Sequence, residues 1–190
     1  MRRVIASEFV SLDGVMEDPG GAEKTPIGGW AFRFDRGPEG DQFKLDELLA
    51  ADAQLLGRRT YAGFAAAWPS IKDDVGFAEK MNSMPKYVVS STLQDAEWNN
   101  STILRGNVAD EVARLKQRPG RDLLVAGSAQ LVQTLARHEL VDEYRLMVFP
   151  IVLGSGKRLF GEGWPSTPLK IVESRAAGAV LTVRLQPAQG

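Results

Sequence analysis

The chain has 190 residues, with 23 Lys and Arg against 24 Asp and Glu, and 44% of its residues are hydrophobic. This length and hydrophobic content are typical of one globular domain, so we expect residues 1–190 to form a single domain. A formal net charge of −1 offers no broad positive field to nucleic acid or to an anionic membrane, and we expect neither as a partner. The absence of cysteine excludes disulfides, thiolate metal sites and cysteine nucleophiles.

The first half of the chain alternates strands and helices. Its first apolar run, residues 3–10, predicts a strand that ends at SLDG, and the break at Ser7 and Glu8 makes it too short for a signal peptide, so we predict a cytoplasmic protein. A Gly- and Pro-rich stretch from Met16 to Glu39 predicts a long loop of the kind that often closes over a ligand. The elements predicted after this loop are a helix over residues 41–51, a strand over Ala53–Leu56, a helix over Arg58–Trp68 and a short helix over residues 74–82.

The second half repeats this alternation and then changes to strands alone. KYVVSST, STILR and DLLVA predict strands, and Asn107 and Ser128 stand where helix N-caps belong. DEYRLMVFPIVLG predicts a long strand, and LKIVESRAAGAVLTVRLQ predicts a terminal hairpin that turns near Gly178. The sequence therefore predicts an α/β fold with a largely parallel sheet, completed by antiparallel strands.

Gly57 is followed by Arg58, Arg59 and Thr60 where a strand gives way to a helix. A tight turn at the glycine, the unpaired amides of the helix start and two guanidinium groups would together form a phosphate site. The alternative is that both arginines are solvated or pair with acids such as Asp52.

Two further segments end at the same predicted edge of the sheet. Gly127 and Ser128 begin a helix after DLLVA, although Ser128 could also be a simple helix cap. The hydroxyls of Ser90, Ser91 and Thr92 follow another strand, and alone they are typical of an ordinary loop. In combination, the three segments fit a ligand with several phosphates, and the arginine pair favours NADP over NAD, whose ribose is generally bound by an acidic side chain.

Other familiar motifs are missing or incomplete. No G-x-G-x-x-G opens a helix, and GSGKR at 154–158 lacks the first glycine and the final Ser or Thr of a phosphate loop. With a single histidine, His138, the chain has neither a histidine cluster for a metal nor an evident Ser-His-Asp triad.

The spaced motifs SLDG, LLGRRTY, KYVVSST, LLVAGSAQL and PIVLGSGKRLF resemble, in this order, the dihydrofolate reductase superfamily. The resemblance runs from about Val4 to Phe160 and is closest to the reductase domain of bifunctional riboflavin-biosynthesis deaminase-reductases and their stand-alone relatives. It implies a three-layer fold with a central mixed sheet, and a reductase that uses NADPH. The cofactor-binding residues that it implies are Gly57, Arg58, Arg59 and Thr60 for the phosphates, Ser90, Ser91 and Thr92 for the adenosine end, and Gly127, Ser128, Ala129 and Gln130 for the pyrophosphate.

The resemblance also implies a small heterocyclic substrate, pterin-like or riboflavin-precursor-like, reduced at a C=N or C=O bond. Asp13 and Asp41 are the candidates to orient it or to relay a proton, although an acid at a helix start such as Asp41 also complements the helix dipole. A non-catalytic NADP-binding module and a protein that binds no nucleotide are the alternatives. Relatives of this type are often dimers, so we predict a homodimer; the stretch YRLMVFPIVL could join two chains or be an ordinary buried strand.

Overall fold

The computed structural model describes residues 1–188, which form one eight-stranded sheet with helices on both faces. The strands are β1 (Val4–Ser11), β2 (Ala51–Gly57), β3 (Lys86–Val89), β4 (Ser101–Leu104), β5 (Asp122–Ala126), β6 (Glu143–Phe149), β7 (Leu169–Ala177) and β8 (Val180–Pro187). The α-helices are α1 (Gly37–Ala50), α2 (Arg58–Ala67), α3 (Phe77–Ser83), α4 (Val108–Gln117) and α5 (Ala129–Arg137), and short 3-10 helices cover Trp30–Arg33 and Trp68–Ser70.

The sheet has the strand order β4-β3-β2-β5-β1-β6-β8-β7. The pairs from β4 through β6 are parallel, and β8 pairs antiparallel with both β6 and β7. The predicted α/β class, the largely parallel sheet and the terminal hairpin are therefore confirmed. The hairpin turns at Gly178, whose φ is +54°.

Alternating side chains of β1 divide the core between the two faces of the sheet. Val4, Ala6 and Val10 pack with side chains of α4 and α5, whereas Ile5 packs with side chains of α1, α2 and α3. Both sets are almost fully buried, as expected for a central strand of a parallel sheet. Within residues 1–188, none of the helices has the length and apolar character needed to cross a membrane.

Several predicted boundaries were wrong for local reasons. Helix α1 begins at Gly37 rather than at residue 41, because Pro38 suits the first turn of a helix. Strand β6 ends at Phe149, because Pro150 has no N–H and the amide of Ile151 turns back to the Phe149 carbonyl at 2.8 Å. Strand β3, in contrast, ends before Ser90 as predicted, and the Ser90 hydroxyl accepts the amides of the following turn.

Strand β6 lies between β1 and β8 in the middle of the sheet. Tyr144, Leu146, Met147 and Phe149 are all buried. The part of the apolar stretch up to Phe149 is therefore an internal strand, whereas Ile151, Val152 and Leu153 lie beyond it. A homodimer, and a part for this stretch in it, stays a prediction.

Candidate functional site: a pocket between two helix starts

Helices α2 and α5 begin side by side at one edge of the sheet. Their preceding strands, β2 and β5, are parallel neighbours, so both strands end at the same edge. The amide of Gly57 donates to the Ser128 hydroxyl at 3.0 Å, and that hydroxyl lies 3.0 Å from the Thr60 hydroxyl. Thr60 in turn donates to the Gly127 carbonyl at 2.9 Å. These hydrogen bonds hold the two helix starts together across about seventy residues of sequence.

The side chain of Ser128 does not cap its own helix, so the simple cap interpretation was wrong. Ser128 is buried, and its hydroxyl is used to join the two helix starts. Gly57 was also misinterpreted, because its φ of −75° and ψ of 155° are ordinary extended values. The left-handed turn belongs to Gly127, whose φ is +66°.

Arg58 and Arg59 form the exposed first turn of α2. Within residues 1–188, neither takes part in an ion pair, and the carboxylate of Asp52 pairs with Arg2 and accepts the Arg121 amide at 2.8 Å instead. The alternative of a pairing between these arginines and Asp52 was therefore wrong. Two adjacent cations without a carboxylate partner, at a helix N-terminus, are favourably placed for an anion.

All of the residues predicted from the sequence to bind a cofactor line one pocket of about 460 Å³. They are Gly57, Arg58, Arg59, Thr60, Ser90, Ser91, Thr92, Gly127, Ser128, Ala129 and Gln130. Ser90 is buried and its hydroxyl is occupied by the backbone, whereas Ser91 and Thr92 are exposed. The structure thus brings the three predicted segments together.

The pocket is also lined by residues that the sequence prediction did not assign. Met16, Glu17, Asp18 and Glu23 come from the loop after β1, and Lys157 comes from the GSGKR segment. The Lys157 ammonium lies 2.8 Å from the Glu17 carboxylate, so the two segments meet at the pocket. The Gly- and Pro-rich composition of the loop suggested the first group, whereas the GSGKR segment that contains Lys157 was set aside in the sequence analysis as an incomplete phosphate loop.

Comparisons with known proteins identify the family of the chain. Residues 2–183 match the family model described as the RibD C-terminal domain. The uncharacterized protein YyaP of Bacillus subtilis (strain 168) is 32% identical over 177 residues, which cover 92% of this chain and 88% of YyaP. This chain belongs to the RibD C-terminal domain family.

Solved structures of similar proteins show the fold of the family. The crystal structure of a putative riboflavin biosynthesis protein from Shewanella sp. PV-4 has a TM-score of 0.77 and 20% identity, and the similarity covers 98% of this chain and 99% of that one. Dihydrofolate reductase from Enterococcus faecalis, solved with NADP(H), has a TM-score of 0.57 and 16% identity, with 98% and 97% covered. The fold of this chain is therefore dihydrofolate reductase-like, as the sequence motifs predicted.

Asp13 lies just beyond β1 and does not line the pocket. Its carboxylate accepts the Ser11 hydroxyl at 2.6 Å and the amides of Leu153 and Gly154 at 3.1 and 2.8 Å. The Ser11 hydroxyl and these amides lower the pKa of Asp13 to about 2. Such contacts tie the segment after β6 to the end of β1, and a role for Asp13 toward a substrate stays a prediction.

Asp41 lies on the exposed side of α1, outside the pocket, where it pairs with Arg36. Another part of α1 faces the sheet: Lys44 donates to the Ser7 hydroxyl at 2.6 Å and also pairs with Glu47, which is buried. A substrate-orienting role for Asp41 stays a prediction, and its present contact is with a surface arginine. The helix therefore directs Lys44 and Glu47, rather than Asp41, toward β1.

Proposed function

We propose that this member of the RibD C-terminal domain family is an NADPH-dependent reductase that transfers a hydride to a C=N or C=O bond of a small heterocyclic, pterin- or riboflavin-precursor-like substrate. Membership of the family and the dihydrofolate reductase-like fold support a reductase. NADPH as the cofactor is supported by the NADP(H) complex of the Enterococcus dihydrofolate reductase and by the residues of the pocket.

The observation that carries the proposal is the position of Arg58 and Arg59. These two arginines have no carboxylate partner within residues 1–188, and they lie beside the joined starts of α2 and α5. Arg58 and Arg59 supply planar guanidinium groups that suit a ribose 2′-phosphate, and the free amides of the first turn of α5 suit a pyrophosphate. A nucleotide with phosphates at two places would contact both helix starts. NADH lacks the 2′-phosphate and would leave the arginine pair without its anion.

The roles of the residues follow from their positions along the pocket. Bound NADPH would supply the hydride from its nicotinamide ring. Arg58 and Arg59 would fix one end of the nucleotide, and the Gly127–Gln130 turn would fix its centre. The loop from Met16 to Glu23 also lines the pocket, where it would limit the access of water to the reacting atoms.

The double variant Arg58→Ala/Arg59→Ala tests this proposal. A charge-assisted hydrogen bond contributes about 1.5–3 kcal/mol, so the variant should weaken NADPH binding by about tenfold or more for each hydrogen bond that the arginines no longer donate. Binding of NADH should change much less, because NADH has no 2′-phosphate. Fluorescence or calorimetric titration of both nucleotides measures the difference.

Arg118→Ala is a matched control, since Arg118 is an exposed arginine just after α4 and does not line the pocket. It should leave both affinities unchanged. Equal reductions of NADPH and NADH affinity in the double variant would contradict the proposed role of the pair. Oxidation of NADPH in the presence of pterin or riboflavin-precursor substrates would then separate a reductase from a non-catalytic NADP-binding module.

A further inference from the structure

Glu8 is a buried carboxylic acid that forms no ion pair with any cation of residues 1–188. Its side chain projects from the centre of β1, and the residue is 3% exposed. One carboxyl oxygen accepts the Gly127 amide at 2.8 Å, and the other has no hydrogen-bond partner in residues 1–188. The neighbouring cation, Lys44, pairs with Glu47 instead.

The other fully buried glutamates show what a buried carboxylate ordinarily requires. Glu143 is completely buried and accepts hydrogen bonds from Arg145 and Arg184 at 2.7 and 2.9 Å. Glu47 is bonded to Lys44 and to the Ser7 hydroxyl. A buried carboxyl group without such a partner avoids the cost of an isolated charge by remaining protonated.

Glu8 lies beneath the start of α5, so a charge on its carboxyl group would act on a ligand bound there. Ser7 pairs with Ala126 in the parallel register, which places Glu8 beneath the turn where α5 begins. The amides of Gly127 and Ser128 are directed toward Glu8, so the amides left for a ligand are those that follow Ser128. A pyrophosphate held at the start of α5 would therefore lie above the carboxyl group of Glu8.

Burial is the largest influence on the ionisation of Glu8. Burial raises the pKa of Glu8 to about 8, and the amides of Gly127 and Ser128 and the charge of Lys44 oppose this rise. The charge of Glu47 raises the pKa further. Leu146 of β6 is the strand neighbour of Glu8 and carries no charge.

We propose that Glu8 is a positioning residue that must be protonated for NADPH to bind tightly. Ionisation of Glu8 then weakens the binding of the pyrophosphate at the Gly127 turn. This inference rests on the proposed use of NADPH. The protonated acid still accepts the Gly127 amide and holds the turn in place. The ionised form would add a negative charge, poorly screened by water, beneath an anion.

The direction of the pH dependence follows from the raised pKa. Below about pH 8 Glu8 is neutral in the free protein, and binding involves no change in its protonation. Above that pH Glu8 is ionised in the free protein, and NADPH can bind tightly only if a proton is taken up. Between about one unit below and about one unit above the midpoint, the affinity should fall by up to about tenfold.

Calorimetric titration with NADPH in two buffers of different ionisation enthalpy, about one unit above and about one unit below this midpoint, tests the inference. At the higher pH the wild-type protein should take up a substantial fraction of a proton per NADPH bound. Glu8→Gln keeps an oxygen to accept the Gly127 amide and removes the titration. It should bind NADPH without this proton uptake and with nearly equal affinity at both pH values.

Glu47→Gln changes another buried glutamate, on the opposite face of the sheet, and should retain the proton uptake. Absence of proton uptake by the wild-type protein at the higher pH overturns the inference, whether or not the Gln variant folds. The same uptake in Glu8→Gln as in the wild type would also overturn it. If NADPH binds at neither pH, the result contradicts the proposed function, and the inference that rests on it is overturned as well.

Discussion

Gly57 and Gly127 both line the pocket, but the backbone conformation requires a glycine only at position 127. Gly127 has a φ of +66°, and a Cβ atom there would lie 3.2 Å from the Cγ2 atom of Thr60. Gly57 has ordinary extended angles, and a Cβ atom would lie 3.5 Å from the Ser128 hydroxyl oxygen, which is a normal contact. Sequence patterns alone assign both glycines the same role.

Gly127→Ala should therefore destabilise the protein by about 1–2 kcal/mol, the cost of a left-handed conformation in a residue with a Cβ atom. It should also weaken NADPH binding, because the displaced turn loses its hydrogen bonds to Thr60 and Glu8. Gly57→Ala should change the free energy of unfolding by less than about 1 kcal/mol. Urea unfolding and NADPH titration measure both effects, and an equal loss of stability in the two variants would contradict this distinction.

Among the elements, the loop after β1 depends on one buried carboxylate. Asp18 is 5% exposed and accepts the amides of Glu23 and Thr25, each at 2.9 Å, and the Thr25 hydroxyl at 3.1 Å. Burial alone would raise the pKa of Asp18, but these hydrogen bonds outweigh burial and lower the pKa. The carboxylate thus fixes the shape of the loop that forms one wall of the pocket.

Asp18→Ala should loosen this loop while the sheet stays folded. In this variant the loop can open locally without breaking hydrogen bonds to Asp18. Amide exchange at Glu23 and Thr25 should therefore become faster, while exchange in β1 and β5 stays slow. The affinity for NADPH should fall as the wall becomes mobile. Glu23→Ala removes a half-exposed side chain but keeps the amide, and it should leave the exchange at Thr25 unchanged.

Local sequence patterns were sufficient to predict much of the pocket at the carboxyl ends of β2 and β5. The alternation of strands and helices and the glycine before each helix start placed eleven residues in one pocket. The rest depends on contacts between distant segments, such as Glu8 with Gly127 and Lys157 with Glu17. Neither contact has a local signature, because a single glutamate in a strand or a lysine in a loop is compatible with many environments.

For the whole molecule, the network around Glu143 links the chain start to two strands of the sheet. Arg3 of the chain start, Arg145 of β6 and Arg184 of β8 all lie within ion-pair distance of its carboxylate. Burial alone would raise the pKa of Glu143, but the hydrogen bonds from Arg184, Arg145 and Gln186 outweigh it and lower the pKa to about 2. The ionised form is therefore the one that the folded state stabilises.

A lowered pKa in the folded state gives stability that is present above the unfolded value of about 4.3 and is lost as the pH falls toward 2. We expect Glu143→Gln to lower the free energy of unfolding at neutral pH by about 2–4 kcal/mol, since the arginines then lose their buried partner. The difference from the wild type should shrink as the pH falls through this window. Urea unfolding at several pH values measures it, with Glu111→Gln, which breaks an exposed pair, as the control. A difference that is constant with pH would contradict this role.

The adjacent cations at the start of α2 have a practical consequence for a protein that is otherwise close to neutrality. Arg58 and Arg59 repel each other until an anion arrives, so sulfate or inorganic phosphate in a buffer should accumulate beside them. A nucleotide must then displace that ion before it can bind. Dissociation constants for this protein will therefore be comparable only between solutions that contain the same multivalent salts.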